Sequence, residues 1–343
     1  MQQPEARASL DERLARALVP FLDTATSPLL LAVSGGPDST ALMHAARSGG
    51  ARVHVATVDH ALRAGSGEEA AGVGRLAAEL GLGHTILTWD APRRASGIQA
   101  AAREARYRLL AGHAARIGAG LVLTAHTLDD QAETVLMRLM AGSGPSGLAG
   151  MRRERALAPN IRLARPFIDI PKVDLVAYCE AHRLPFLRDP SNADVRFARA
   201  RLRTLLPLLV EEGLNAARLG RLAVRAARDD AALGQRADAV LSEIAGGEEE
   251  TLRLDGHRLR REPEAIVLRV VDAALDRVTP DHETAVPKRL ERLESLVLDA
   301  LLPALAEGRA LRRTLRGALI EADDKGIIRL TAAPPRRAGG VRR

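Results

Sequence analysis

The run Ser34-Gly35-Gly36-Pro37-Asp38-Ser39 constrains this chain more than any other six residues in it. It follows the apolar stretch 29–33 and opens the helical pattern 40–46, so a strand must turn sharply into a helix at this point. Two glycines admit positive φ and let the backbone approach a ligand closely. The open N–H groups of the helix start, together with the helix dipole, attract an anion. Ser34 and Ser39 add hydroxyl donors, and Pro37 suits a first turn, where its missing N–H is no loss. The predicted object is a phosphate cradle. Asp38 would repel bare phosphate, which points to a bridging Mg²⁺. A plain helix cap needs one suitable residue, not two glycines between two serines. The loop is not a Walker A sequence, because none of the three lysines, Lys172, Lys288 and Lys325, stands in G-x-x-x-x-G-K-[ST]. The chemistry therefore need not be γ-phosphoryl transfer.

Around this loop, strand-like and helix-like patterns alternate. A first amphipathic helix is capped by Ser9 or Asp11 and ends before Pro20. Strands are predicted at 52–58, 84–89 and 121–125, and helices at 68–80, 98–117 and 128–140. Such alternation predicts an α/β, Rossmann-like parallel sheet with helices on both faces. Ligands of such sheets bind beyond the carboxyl ends of the strands. The Ser34 loop, Asp59-His60 and His126 each follow a predicted strand and should converge on one crevice.

Beyond about Pro207 the pattern changes. Helices are predicted at 211–244, 266–278 and 288–305, a short strand at 252–254, and a hairpin from 314–320 and 327–330 around Asp323-Asp324-Lys325-Gly326. The expected organisation is a first domain at 1–210 that carries the phosphate cradle, a smaller, mainly helical domain at 211–333, and a disordered basic tail at 334–343.

Composition sets the partner class. The net charge of +7 suits a polyanion. Residues 196–343 hold 28 basic and 23 acidic side chains, against 22 and 20 before them. Arginine supplies nearly all of the basic residues, a bias that genome composition can also produce. Only 2% of residues are aromatic, which argues against recognition of RNA on a stacking platform. The single cysteine, Cys179, excludes an intramolecular disulfide, a Cys₄ zinc site and a cysteine-ligated cluster. It sits in an apolar helical pattern and is expected to be buried. With no signal pattern and no apolar run of spanning length, the expectation is a cytoplasmic protein away from membranes.

Three further segments carry candidate chemistry. Thr124 to Thr134 reads T-A-H-T-L-D-D-Q-A-E-T. Asp129, Asp130 and Glu133 complement a helix N-terminus, but that does not require His126, nor two carboxylates at a strand's end. Such a pair can hold Mg²⁺ or an ammonium group, and His126 can bind phosphate or developing charge. Arg103 and Arg106 lie on adjacent turns of one helix face. Asp189-Pro190-Ser191-Asn192 leads into a helix bearing Arg199, Arg201 and Arg203. By contrast, G-S-G-P-S-G at 142–147 follows a helix rather than a strand, so it fails the context test for a dinucleotide fingerprint.

The hexapeptide at 34–39 resembles the pyrophosphate loop of the ATP pyrophosphatases, which activate an oxygen by adenylation. With V-D-H-A-L-R at 58–63, A-A-A-R-E-A-R-Y at 100–107, T-A-H-T-L-D-D-Q-A-E-T-V-L at 124–136, G-S-G-P-S-G-L-A-G-M at 142–151, R-P-F at 165–167, I-P-K at 170–172 and D-P-S-N at 189–192, the chain resembles the tRNA(Ile)-lysidine synthetase family. The resemblance covers about residues 29–210 and is loose beyond them. It implies ATP-dependent adenylation of the wobble cytidine of tRNA(Ile) with anticodon CAU, followed by attack of lysine on carbon 2. It implies ATP at Ser34, Gly35, Gly36, Pro37, Asp38, Ser39, Asp59 and His60, and Mg²⁺ on Asp38 and Asp130. The implied catalytic set is Asp38, His126, Asp130 and Arg103. Substrate and tRNA fall to Arg103, Arg106, Asp129, Glu133, Asp189, Asn192, Arg201 and Arg203. No protein partner beyond a homodimer is implied. The sequence departs from the family at Ala61, often glycine, and at Ala200, usually asparagine. It is also too short for the extra C-terminal domain of the longer members.

Two other readings share the loop. A tRNA thiolase would need a cysteine pair or an iron–sulfur cluster, which a single cysteine does not supply. An amide synthetase would need an ammonia source, and no glutaminase nucleophile domain is evident. A nucleotide-binding regulator without turnover would not need the intact acids Asp38, Asp129 and Asp130.

Overall fold

The computed structural model describes residues 9–22, 27–48, 52–61, 65–89, 98–187, 198–247, 251–279 and 289–334. The chain divides into two compact units, one of residues up to 142 with 147–224, the other of 143–146 with 225 onward. The division falls within one long helix. Among the described residues, no helix is long and apolar enough to cross a membrane.

The first unit contains helix α1 (Leu10–Leu22), strand β1 (Leu29–Ala32), α2 (Pro37–Ser48), β2 (Val53–Asp59), α3 (Ser66–Glu79), β3 (Gly83–Thr88), α4 (Ile98–Arg116), β4 (Leu121–Thr124), α5 (Leu128–Met140), α6 (Pro145–Leu148, at the edge of the division), β5 (Glu154–Ala158), β6 (Ile161–Ala164), α7 (Lys172–Ala181) and α8 (Ala198–Glu211). The sheet order is β3-β2-β1-β4-β6-β5. All neighbours are parallel except β5 and β6, which form an antiparallel hairpin. The sequence reading lacked that hairpin. Its turn, Pro159-Asn160, puts Asn160 at φ 59°, a left-handed conformation that asparagine tolerates.

Alternation along β1 builds both layers. Leu29 and Leu31 enter a core with α1, α2 and α7 that includes Leu42, Met43, Phe167 and Cys179. Leu30 enters the opposite core with Leu110 and Ala114 of α4. A strand clad on both faces should be apolar throughout, as L-L-L-A is. A third cluster joins Ala132, Val135 and Leu136 of α5 to Leu202 of α8 and Leu219. Helix α1 begins with a reciprocal box, the Glu12 N–H on Ser9 Oγ at 3.2 Å and the Ser9 N–H on Glu12 Oε2 at 3.0 Å. It runs through Pro20 to Leu22 rather than stopping before the proline, because Leu18 and Phe21 are buried and hold the last turn.

Most of the long helix α9 (Ala216–Ile244) leads into the second unit. That unit adds β7 (Ala245–Gly246), β8 (Leu252–Asp255), α10 (Gly256–Leu259), α11 (Glu264–Val278), α12 (Leu290–Glu294), a π-helical segment Ser295–Leu301, α13 (Leu302–Glu307), β9 (Leu311–Leu315), β10 (Ala318–Ala322) and β11 (Ile327–Ala332). The strands form one antiparallel sheet, β7-β8-β11-β10-β9. The helices expected there are thus joined by a larger sheet than the predicted hairpin. The predicted strand 314–320 is two strands, broken at Arg316 (φ 50°) and Gly317 (φ 78°), the two positive φ values of a tight hairpin turn. Its core sets Val267, Val270 and Val271 of α11 against Ile320, Ile328 and Leu330.

Candidate functional site

In the sheet, β1 lies between β2 and β4. The chain runs from β1 outward through β2 to β3, then returns to the other side of β1 with β4. The register Leu29↔Leu121 to Ala32↔Thr124 brings the loops after β1 and β4 side by side. This reversal of strand order is where an open α/β sheet leaves a crevice at its carboxyl edge. The strands that lead into the Ser34 loop and the His126 turn are thus direct neighbours.

The loop after β1 is pinned internally. Gly35 has φ 84°, and a Cβ there would meet Leu187 Cδ1 at 2.9 Å and Val73 Cγ2 at 3.1 Å. Glycine is therefore required by conformation and by space. Ser39 is buried; its Oγ accepts the Ser34 N–H at 3.1 Å and donates to Gly36 O at 3.1 Å. Ser39 braces the cradle, and the exposed hydroxyl of the pair is that of Ser34. The Cys179 thiol donates to Pro37 O at 3.3 Å, and burial pushes its pKa up to about 12. That cysteine is an inert packing group. A cavity of about 450 Å³ borders the loop, lined in part by Gly35, Thr40, Met43, Val73, Leu76 and Leu187.

Asp38 stands at the start of α2. Its Oδ2 accepts from Lys172 Nζ at 2.7 Å, while its Oδ1 is buried with no hydrogen-bond partner. Burial raises its pKa, Lys172 opposes the rise, and the negative charges of Asp130 and Asp129 add to it. Both acids of the second motif have local duties as well. Asp130 Oδ2 accepts the Thr127 N–H at 2.9 Å and the Thr127 hydroxyl at 3.0 Å, closing a capping box on α5. Asp129 Oδ2 accepts the N–H of Lys172 at 2.7 Å and so holds the first turn of α7. Among the described residues no ready-made cluster of three metal-binding side chains exists. Mg²⁺ needs none, since it is commonly held by one or two carboxylates plus substrate phosphates. A half-satisfied Asp38 beside an anion cradle fits that donor set.

His126 follows β4, with Nδ1 2.9 Å from Thr124 Oγ1. Burial lowers its pKa to about 4; Asp130 pulls the other way, and Arg165, Arg103 and Arg106 reinforce the drop. At neutral pH it is an uncharged hydrogen-bonding group. Glu133 is 3% exposed and pairs with Arg203, Nε to Oε1 at 2.6 Å. The pair ties α8 to α5, and Arg203 also feels Asp130 and Asp38.

A cationic face completes the region. The Arg103 guanidinium lies 5.1 Å from the Tyr107 ring centroid, and that of Arg155 lies 4.9 Å from it. Arg165, at the end of β6, is buried; its Nη1 donates to Arg152 O at 2.7 Å and its Nε has no partner. Burial lowers its pKa, and Tyr107 holds it up. Arg103, Arg155 and Arg165 have no carboxylate at ion-pair distance among the described residues. Arg106 Nη2 lies 3.3 Å from His60 Nε2, whose ring packs edge-on to Trp89 at 5.7 Å. Asp59 Oδ1 accepts the Ala61 N–H at 2.9 Å, and Ala61 takes φ 49°, the conformation that glycine adopts freely. Arg201 is exposed on α8. Asp189, Asn192 and the 335–343 tail lie outside the described residues, as does the side chain of Arg199.

Sequence reasoning had given no role to Lys172, Arg155 or Arg165. The signal for Lys172 was its rarity, one of three lysines among 50 basic residues. Arg165 had none, because nothing local announces that an arginine after a strand will be buried.

Comparison with known proteins agrees with this geometry. A PP-loop domain family matches residues 8–209. The tRNA(Ile)-lysidine synthase of Methylobacterium nodulans is 52% identical over 98% of this chain and 99% of its own length. That of Rhodopseudomonas palustris is 44% identical over 94% and 95%. Among solved structures, the U34-tRNA thiolase NcsA from Methanococcus maripaludis, with its [4Fe-4S] cluster, superposes with a TM-score of 0.54 at 15% identity, over 64% of this chain and 80% of that one. At that identity the likeness is one of fold alone. Identity of this order over nearly the whole length places the chain in the tRNA(Ile)-lysidine synthase family, with a PP-loop domain over residues 8–209.

Proposed function

We propose that this chain joins lysine to carbon 2 of the wobble cytidine of tRNA(Ile) bearing the anticodon CAU, consuming ATP and releasing AMP and pyrophosphate. The observation that carries the reading is the juxtaposition at the β1/β4 reversal of an anion cradle, a half-satisfied Asp38 and a cationic face. In the first step, cytosine O2 attacks the α-phosphorus of ATP and the bond to pyrophosphate breaks. The cradle N–H groups and the Ser34 hydroxyl meet the phosphate oxygens, and the cavity beside Gly35, lined by Met43, Val73 and Leu76 and also by Glu68, Arg75 and Glu79, offers room for the adenine ring. Asp38 and Asp130 would hold Mg²⁺, which neutralises charge on the pyrophosphate when bound.

In the second step, the ε-ammonium of lysine gives one proton to water, the neutral amine attacks carbon 2, the C–O bond to AMP breaks, and the nitrogen releases its second proton to solvent. Asp129 and Asp130 provide the negative field that draws the ammonium in. Neutral His126 donates or accepts one hydrogen bond at the reacting centre and adds no charge. Arg103 with Tyr107, Arg106 and Arg201 place the cytidine and its phosphates, the base being drawn out of its stack. The Glu133–Arg203 pair fixes the helix that carries Arg201. A second, tRNA-binding role belongs to the residues after 210. Pyrophosphate release measured with tRNA(Ile) transcript, lysine and ATP tests the reading. Release should require the tRNA, and formation of ADP and orthophosphate instead would contradict it.

A further inference from the structure

Lys172 is one of three lysines in a chain whose other basic residues are arginines, and it is the one placed on Asp38. An arginine there would lock the carboxylate in a two-point fork. Lysine presents a single mobile point charge on a flexible stem, suited to exchanging partners. The stem's origin is fixed, because the Lys172 N–H donates to Asp129 Oδ2 at 2.7 Å at the start of α7. Its far end reaches Asp38 Oδ2 at 2.7 Å with the side chain still 48% exposed, so space to move remains. The other oxygen of Asp38 is buried and lacks a partner. One ammonium thus serves half of a carboxylate that the proposed function, on which this argument rests, gives to a divalent cation.

We infer that Lys172 is the internal counter-ion of Asp38 and a positioning residue for ATP, leaving Asp38 when metal and nucleotide load together and moving to the pyrophosphate oxygens. An ammonium and a divalent cation repel each other on one carboxylate, so Lys172 opposes metal binding in the absence of nucleotide. ATP removes the conflict by offering the ammonium a stronger anionic partner a short swing away. Lys172 therefore couples the two ligands: each binds poorly alone and better in the presence of the other. The coupling must be reciprocal, the same factor appearing in both affinities.

The test is binding to the full-length protein without tRNA and without turnover. Mn²⁺ serves as the spectroscopic probe of the metal, followed by electron paramagnetic resonance, and ATP binding is followed by calorimetry. In Lys172→Met, Mn²⁺ alone should bind about tenfold more tightly, and metal-free ATP about tenfold more weakly, the scale of one charge-assisted contact. The gain in ATP affinity on adding Mn²⁺ should shrink correspondingly. Lys172→Arg should keep the exclusion of Mn²⁺ in the absence of ATP. A lysine that merely braces α7 would weaken both ligands or neither, and unchanged or weaker Mn²⁺ binding in Lys172→Met overturns the inference. Should that variant fail to fold, Lys172→Gln, which keeps a polar head for Asp38 but no charge, carries the same test. Because no product is formed in these assays, the exchange can fail while the wild type still releases pyrophosphate, and the reverse.

Discussion

Both units hold ion pairs, Arg13 with Asp174 and Arg162 with Glu154 among those of the first, but they differ in their buried polar atoms. In the second, charged side chains answer one another: Arg258 with Glu243, Arg269 with Asp230, Arg316 with Asp272 and Asp276, Arg329 with Asp323, and Arg312 with Glu321. In the first, Asp38 Oδ1, His60 Nδ1, His113 Nε2 and Arg165 Nε are buried without partners, and no such atom occurs among the described residues of the second. Unpartnered buried polar atoms are costly, and each calls for a partner such as an ordered water, an ion or a ligand, or for a functional role. Three of these four atoms, those of Asp38, His60 and Arg165, lie around the crevice. Net charge divides the same way. Residues 1–210 hold 26 basic and 20 acidic side chains, residues 211–333 hold 20 and 23, and the last ten hold four arginines. The surplus that pointed toward the C-terminal part therefore sits on 196–210 and the tail.

Several substitutions would break or sharpen this contrast. The largest effect belongs to Asp38→Ala. Single-turnover adenylation should fall by a factor of order 10²–10³, the scale of losing one group that neutralises transition-state charge. Wild-type rates would remove Asp38 from the chemistry. Next is Arg203→Met, which strands the buried Glu133. A lost partner in a buried pair costs about 3–5 kcal/mol, and the half-exposed arginine reduces that to about 2–3 kcal/mol in urea unfolding. Adding Glu133→Leu should restore most of it. If the single variant is as stable as wild type, the pair does not hold α8.

Arg103→Ala should weaken tRNA binding and lower the salt slope by about 0.7–0.9, one phosphate contact. An unchanged slope would leave Arg103 as surface. Stability should also fall as pH drops from about 6.5 toward 4. Burial depresses His126 to about 4, so the unfolded chain takes up a proton there that the folded one refuses. His44, His54, His60, His84 and His113 are lowered too and add to the trend. His126→Gln should flatten that limb in thermal unfolding. At the small end, Arg258→Ala in the second unit breaks an exposed pair and should cost about 0.5 kcal/mol or less. A loss as large as that of Arg203→Met would erase the contrast between the units.

What was legible in the chain follows the same division. The sheet, its helices and the meeting of the loops after β1 and β4 could be read because L-L-L-A and L-V-L-T are unbroken apolar strands running into glycine, histidine and acids. The β5–β6 hairpin was missed because E-R-A-L-A and I-R-L-A are short and carry arginines, although the Pro159-Asn160 turn between them was a usable signal. In the second unit, only Thr314-Leu315 of β9 was read as strand, because L-R-R-T-L shows no clean alternation. At the site, residue types and spacing announced Asp38, His126 and Asp130. They did not announce that Ser39 would be buried in bracing the cradle, that Glu133 would be paired with Arg203, or that Lys172 would cross 134 positions to meet Asp38. Those depend on tertiary contacts that no local pattern encodes.

The most direct test of the central claim is mass spectrometry of the wobble nucleoside of tRNA(Ile) after incubation with this protein, ATP and isotopically labelled lysine. The account predicts that the cytidine of the CAU anticodon carries the label, with AMP and pyrophosphate formed in equal amounts to it. An unmodified cytidine alongside stoichiometric ADP and orthophosphate would contradict it.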